Sequence, residues 1–305
     1  MCCLRADELI PPKSTLRCPG QFCFGNGASS RHARPGPTLK TETKRVLRWK
    51  SNSVPQKISD HVAPEEPLEI RVDTRPVSVT MRTPGDDEEL AAGFLYTEGL
   101  IKRREDIAAI SPYQRNETGN VTNVFLAPSL AVDFGRLTRH VFASSSCGLC
   151  GKATIQAVHQ HFKPLRGQFS VKASTVLSLP EKMRNEQKAF ERSGGLHAAA
   201  VFDRLGKLVV LREDIGRHNA VDKVVGYGFL RGLLPFDRHI LLVSGRASFE
   251  ILQKALAARV PILCAISAPS SLAVEFARES RQTLIGFLRG ERMNIYSHAQ
   301  RIAAA

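Results

Sequence analysis

Apolar and polar residues alternate along 68–72 (Leu-Glu-Ile-Arg-Val) and again along 77–81 (Val-Ser-Val-Thr-Met). A period of two sets one face of a strand on a core and the other in water, so both segments are predicted strands. Pro84-Gly85-Asp86-Asp87 supplies a turn and an acidic cap, and a helix is predicted from there through Leu90, Phe94 and Leu95 to about Gly99. Residues 121–126 read as another strand, ended by Pro128; residues 46–54 carry mixed charge and run to Pro55. This half predicts a small β-rich unit with one helix.

The second half changes rhythm. Residues 169–183 predict a short strand and a polar linker. Two apolar runs, 196–202 and 208–211, flank a turn with Gly206 and predict a hairpin. Helices are expected at 219–230, 249–258 and 271–278. Between them lie apolar runs at 240–243, 262–266 and 284–288, suited to strands covered on both faces. Hairpin, helix, strand, helix, strand, helix, strand describes a three-layer α/β domain with a mixed sheet. No internal repeat is visible.

Length and charge narrow the picture. The chain has 305 residues, enough for one large domain or two small ones. Half of the net charge of +14 falls in the first 50 residues, a leader rich in Pro, Gly, Ser and Arg that is expected to be disordered. No recognition helix, zinc finger or aromatic RNA-binding motif supports nucleic acid as a partner. No apolar run approaches 18 residues, so no membrane span is expected, and the N-terminus lacks the apolar core of a secretory signal. Seven cysteines, an odd number without an extracellular spacing pattern, fit a reducing cytoplasm.

Two of those thiols carry the strongest chemical signal, in Ser145-Ser146-Cys147-Gly148-Leu149-Cys150-Gly151-Lys152. A breaker-free run from Ala153 to Val158 follows and reads as a helix start. A helix N-terminus and Lys152 both favour the thiolate, the reactive form of a group that otherwise titrates near ~8.5. Three readings compete. A structural zinc site needs four ligands, and the chain has no second CxxC or CxxH. A thioredoxin-like pair would follow a first βαβ strand. The third is a persulfide-carrying cysteine. Cys264, inside an apolar run, reads as a buried inert thiol.

Polar residues crowd at Arg212-Glu213-Asp214-Ile215-Gly216-Arg217-His218-Asn219-Ala220-Val221-Asp222-Lys223, between a strand and a helix, and suggest a ligand-facing loop. Ser244-Gly245-Arg246-Ala247-Ser248 and Ala268-Pro269-Ser270-Ser271 each follow a strand and open a helix, the place where backbone N–H groups receive anions. With Arg217 and Arg246 nearby, they suggest a phosphate or pyrophosphate pocket. The element order is that of cytidine-deaminase-like folds, whose enzymes carry H-x-E and P-C-x-x-C. Here Ala220 stands where the proton-shuttling Glu belongs, and Pro269-Ser270-Ser271-Leu272-Ala273 lacks both thiolates, so deamination is not expected.

The CxxC segment, Gly194-Gly195-Leu196-His197-Ala198-Ala199, the run from Glu213 to Lys223, Ser244-Gly245-Arg246-Ala247-Ser248-Phe249-Glu250 and Met293-Asn294-Ile295-Tyr296-Ser297-His298 together resemble the formate dehydrogenase accessory sulfurtransferases, the FdhD family. The resemblance runs from about residue 45 to the C-terminus. It implies a deaminase-like α/β domain over 143–305, a β-rich unit over 45–142, and a leader 1–44 outside the family. It also implies a cytoplasmic, homodimeric sulfur carrier. Such a carrier takes sulfane sulfur from a cysteine desulfurase and passes it to the molybdenum (or tungsten) bis-guanine-dinucleotide cofactor of formate dehydrogenase. By motif, Cys147 would bear the persulfide and Cys150 would be the second thiol. Phe287, Leu288, Arg289, Gly290, Glu291 and Arg292 would match the cofactor-binding segment, with Arg217, Arg246, Arg289 and Arg292 available to pyrophosphate. The alternative is a non-catalytic chaperone that binds the cofactor and hands it over. No protein-ligated metal is expected.

Overall fold

The computed structural model describes residues 41–112, 119–130, 155, 158–159 and 161–304. The expectations for residues 1–40 of the leader, for Cys147 and Cys150, and for most of the helix after them lie outside the described residues; residues 42–44, read as the end of a disordered leader, instead open a strand.

Mixed charge at 46–54 conceals a two-stranded antiparallel ribbon, β1 (Glu42–Arg48) and β2 (Gln56–Val62). A four-stranded sheet follows, in the order β4-β3-β6-β5. Its strands are β3 (Glu66–Val72), β4 (Arg75–Arg82), β5 (Ile107–Pro112) and β6 (Val121–Leu126). The alternation in β3 works as expected: Leu68, Ile70 and Val72 bury against Leu90 and Leu95 of α1 (Asp87–Thr97). Asp87, Glu88 and Glu89 sit in the first turn of that helix, where its dipole favours negative charge. Gly99, at φ +79°, turns the chain away after it.

The polar linker expected near 173–183 is instead helical. After the short strand β7 (Val171–Lys172) come α2 (Ala173–Glu186) and α3 (Lys188–Ser193). Val176, Leu179 and Met183 recur at helical spacing and bury in the core. That burial outweighs Pro180, which lacks an N–H and normally breaks a helix.

The main sheet has the order β13-β12-β11-β10-β8-β9. The elements are β8 (His197–Phe202), β9 (Leu208–Asp214), α4 (Arg217–Leu230), β10 (Ile240–Val243), α5 (Phe249–Ala257), β11 (Ile262–Ala265), α6 (Ser271–Glu279), β12 (Thr283–Arg289), β13 (Arg292–Ser297) and β14 (Ile302–Ala303). Strands β10, β11 and β12 run parallel, while β8, β9 and β13 join antiparallel. Val221, Val224, Ile251, Leu252 and Phe276 of α4, α5 and α6 cover one face, against Val201, Leu241 and Leu263. Val176, Leu179 and Met183 of α2 cover the other, against Phe202, Leu242 and Ile285. The sheet is therefore mixed and the domain three-layered, as its apolar runs predict. Each such fully buried side chain contributes roughly 1.5–3 kcal/mol.

Helices α1 and α4 join the two halves, and charged pairs bury around the junction. Arg212 donates to Glu89, with N–O distances of 2.7 and 3.0 Å. Lys223 Nζ lies 2.7 Å from Asp214, both side chains at 0% exposure, and Lys254 Nζ lies 2.9 Å from Asp222.

Candidate functional site

Parallel pairing of β10, β11 and β12 brings their carboxyl ends together, so the loops that follow them meet. The loop after β10 bridges that after β11 at Ala247 and Pro269, and Ser270 N donates to Ala247 O at 3.0 Å. Ser270 also caps α6, accepting from Ala273 N. Phe287 N donates to Ser267 O at 3.1 Å, tying in the end of β12. Beside these loops, a cavity of about 590 Å³ is walled by Arg184, Phe190, His197, Ser244, Ile266 and Arg289.

The six residues matched to a cofactor segment divide in space. Arg289 and Gly290 line the cavity. Phe287 and Gly290 hold left-handed backbone, at φ +52° and +58°, and so form the turn that presents Arg289. Phe287 is half-buried, with the Arg289 guanidinium 5.8 Å from its ring centroid. Leu288 points into the apolar core with no exposed surface. Glu291 and Arg292 are exposed beyond the turn.

Most of the polar run from Arg212 to Lys223 faces inward, a correction to its reading as a ligand-facing loop. Glu213 accepts from Ala189 N and Phe190 N, closing the first turn of α3. Asp214 accepts from Gly216 N, Asn219 Nδ2 and Thr83 N besides pairing with Lys223. Asn219 also donates to Met81 O. These groups staple the two sheets together. Arg217 and His218 of the run stand behind the cavity wall: Arg217 Cδ is 3.7 Å from where a Cβ on Gly245 would lie, next to His197.

These two lie on the first turn of α4. Arg217 Nε is buried without a hydrogen-bond partner among the described residues, a donor left for water or a ligand to satisfy. His218 Nε2 stands 3.3 Å from Ser248 Oγ and 3.5 Å from Glu250 Oε2. Burial, then the charges of Arg217 and Lys254, push the His218 pKa down to about 3, so the ring is neutral at pH 7. Burial, and next Arg217, lower the pKa of His197 as well. The cavity wall presents the His197 imidazole beside the Arg184 and Arg289 guanidinium groups, a setting for an anionic ligand with hydrogen-bonding edges. In the sequence His197 stands within the 194–199 segment of the resemblance, with no role assigned to it. Among the described residues, no group of His, Cys, Asp and Glu is placed to hold a metal ion. No helix among them is long and apolar enough to cross a membrane.

The architecture is that of an α/β protein with a cavity, walled by two arginines and a histidine among apolar side chains, at the carboxyl edge of a mixed sheet. Residues 63–303 match the FdhD/NarQ family. The "Sulfur carrier protein FdhD" of Mycobacterium bovis is 51% identical over 251 residues, covering 79% of this chain and 91% of the relative. That of Streptomyces coelicolor is 47% identical, covering 86% and 96%, and that of Saccharolobus solfataricus 45% identical, covering 81% and 92%. The crystal structure of a candidate formate dehydrogenase accessory protein from Desulfotalea psychrophila superposes with a TM-score of 0.69 at 25% identity, covering 86% of this chain and 99% of that one. The chain belongs to the FdhD/NarQ family.

Proposed function

We propose that this chain is a sulfur carrier that serves formate dehydrogenase. The carrying observation is its likeness, at 45–51% identity and across nearly the whole described fold, to proteins named for that role. In this reading the Cys147 thiolate attacks the outer sulfur of a cysteine desulfurase persulfide. The donor's S–S bond breaks, its thiolate leaves, and Cys147 becomes Cys–S–SH. Cys150 then attacks the inner sulfur, so that a Cys147–Cys150 disulfide forms and the outer sulfur leaves as hydrosulfide. Its acceptor is the molybdenum bis-guanine-dinucleotide cofactor.

That cofactor is the cargo, and the cavity suits part of it. Arg289 and Arg184 on its wall offer donors to pyrophosphate, with the unpartnered Arg217 Nε behind it, and His197 and Ser244 offer further polar contacts. The finer reading of the fold is deaminase-like. The order from β8 to β12 supports it, with His218 at the place of the deaminase His and Ala220 at that of its Glu. We take residues 143–305 as the carrier domain and the β-rich stretch before it, from β1 onward, as its support, in a cytoplasmic homodimer.

Complementation of a deletion strain tests the mechanism. Cys147→Ala is expected to abolish formate dehydrogenase activity. Normal activity with this variant would leave cofactor handover without sulfur transfer as the function.

A further inference from the structure

The β1–β2 ribbon has a use that the cavity does not account for. Its two strands form a sheet of their own, and an isolated two-stranded ribbon is only marginally stable in water. Register and pleat give it two unlike faces. Val46 and Ile58 pair on one face and are half-buried. On the other, Leu47 pairs with Lys57 and Arg45 with Ser59, all of them exposed. Trp49 continues the outward face at 71% exposure, and Leu47 is 56% exposed. Val54, in the same tip, is 81% exposed.

An exposed Trp and Leu ringed by cations is the composition of a binding hot spot, not of a solvated strand. Arg45, Lys50 and Lys57 make no ion pair with an acid among the described residues, whereas Lys44 and Arg48 pair with Glu42 and Asp60. Charge selects the occupant. A second copy's ribbon set against this face would bring Arg45, Lys50 and Lys57 against like charges. The first 40 residues, with six Lys/Arg against two Asp/Glu, would do the same. A phosphate backbone would leave Leu47 and Val54 without an apolar contact. An acidic protein surface with an apolar notch satisfies both features.

The root of the ribbon says where such a partner would stand. Ala63, just past β2, packs against Phe190, Leu196 and Ile215. Its Cβ is 3.6 Å from where a Cβ on Gly195 would lie. Phe190, Gly195 and Leu196 line the cavity. The ribbon also precedes the span 63–303 that matches the family.

We propose that the Arg45–Leu47–Trp49 face docks an acidic patch on the protein that receives the cavity's ligand. On the reading above, that protein is the catalytic subunit of formate dehydrogenase. Docking on the ribbon holds its surface beside the cavity mouth, and the three unpaired cations speed encounter and fix orientation.

Trp49 is the single tryptophan of the chain, so 5-fluorotryptophan gives one ¹⁹F resonance for the full-length protein. Adding unlabelled, cofactor-free formate dehydrogenase catalytic subunit is expected to shift or broaden it. Arg45→Glu with Lys57→Glu is expected to weaken the interaction about tenfold or more, as is added salt. Leu47→Asp is expected to weaken it while ligand binding in the cavity stays intact. An unmoved resonance, whether or not the two proteins co-elute, would overturn the assignment. So would undiminished binding by the charge-reversed chain. An equal shift with an oligonucleotide, with the desulfurase, or on concentrating the chain alone would replace the proposed partner. A chain that binds as expected but never carries persulfide would instead sink the sulfur reading and leave the docking face standing.

Discussion

Gly93 of α1 and Gly226 of α4 stand face to face. A Cβ on either would lie 2.8 Å from the backbone nitrogen of the other. Tighter still, a Cβ on Gly93 would meet Asp222 O at 1.8 Å, and one on Gly226 would meet Glu89 O at 1.8 Å. Both helices therefore cross at backbone contact, which fixes the β-rich unit against the sheet that carries the cavity. Gly226→Ala forces backbone apart, not a flexible side-chain end. It is expected to lower the unfolding free energy by about 3 kcal/mol or more, at the upper end of overpacking costs. Urea denaturation checks this, and a loss below about 1 kcal/mol would show that the helices separate freely.

Lys254 and Asp222 meet behind that crossing. Thr97 completes the group, donating to Asp222 at 2.8 Å and accepting from Lys254 at 3.1 Å. Lys254→Met strands a buried carboxylate and is expected to cost about 3–5 kcal/mol. Adding Asp222→Leu is expected to recover most of that loss, because two apolar groups need no partner. A double-mutant cycle by denaturant unfolding measures the coupling.

His218 makes stability depend on pH. Its folded pKa, about 3, lies below the unfolded value of about 6.5, so between them the unfolded state binds more protons. The stability it supports is complete above about pH 6.5 and is lost as pH falls toward 3. His197 shifts the same way. His218→Gln is expected to flatten the decline in urea midpoint between pH 7 and pH 4. An unchanged slope would show that the ring titrates normally.

Arg289 tests the cavity. If its guanidinium holds phosphate, Arg289→Ala removes a charge-assisted hydrogen bond worth about 1.5–3 kcal/mol, or roughly 10- to 100-fold in affinity. Molybdenum co-purifying with the chain reports the loss. Exposed Arg292, beyond the turn, is expected to matter less.

Much of the main sheet was legible because its strands are buried on both faces. Ile240–Val243 and Ile262–Ala265 read as apolar runs and are buried at every position. The ribbon was not: β1 is exposed at six of its seven positions, so no core imposes a period on its sequence. Nor was α2, whose Pro180 signals a break that the burial of Val176, Leu179 and Met183 overrides. At the site, the loops at Ser244 and Ala268 were visible as strand-to-helix junctions. The inward turn of Asp214, Asn219 and Lys223 was not, because their partners Thr83 and Met81 lie more than 130 residues away in sequence. A dense polar run looks the same whether it meets a ligand or a distant backbone.

Intact mass spectrometry after incubation with a cysteine desulfurase and cysteine tests the central claim most directly. Cys264 is fully buried, and burial raises its thiol pKa, so it stays silent in the folded chain. The expected result is a gain of about one sulfur mass, removed by dithiothreitol and absent from Cys147→Ala. A wild-type chain that gains no sulfur from an active desulfurase, or a Cys147→Ala chain that gains it equally, would contradict persulfide carriage at Cys147.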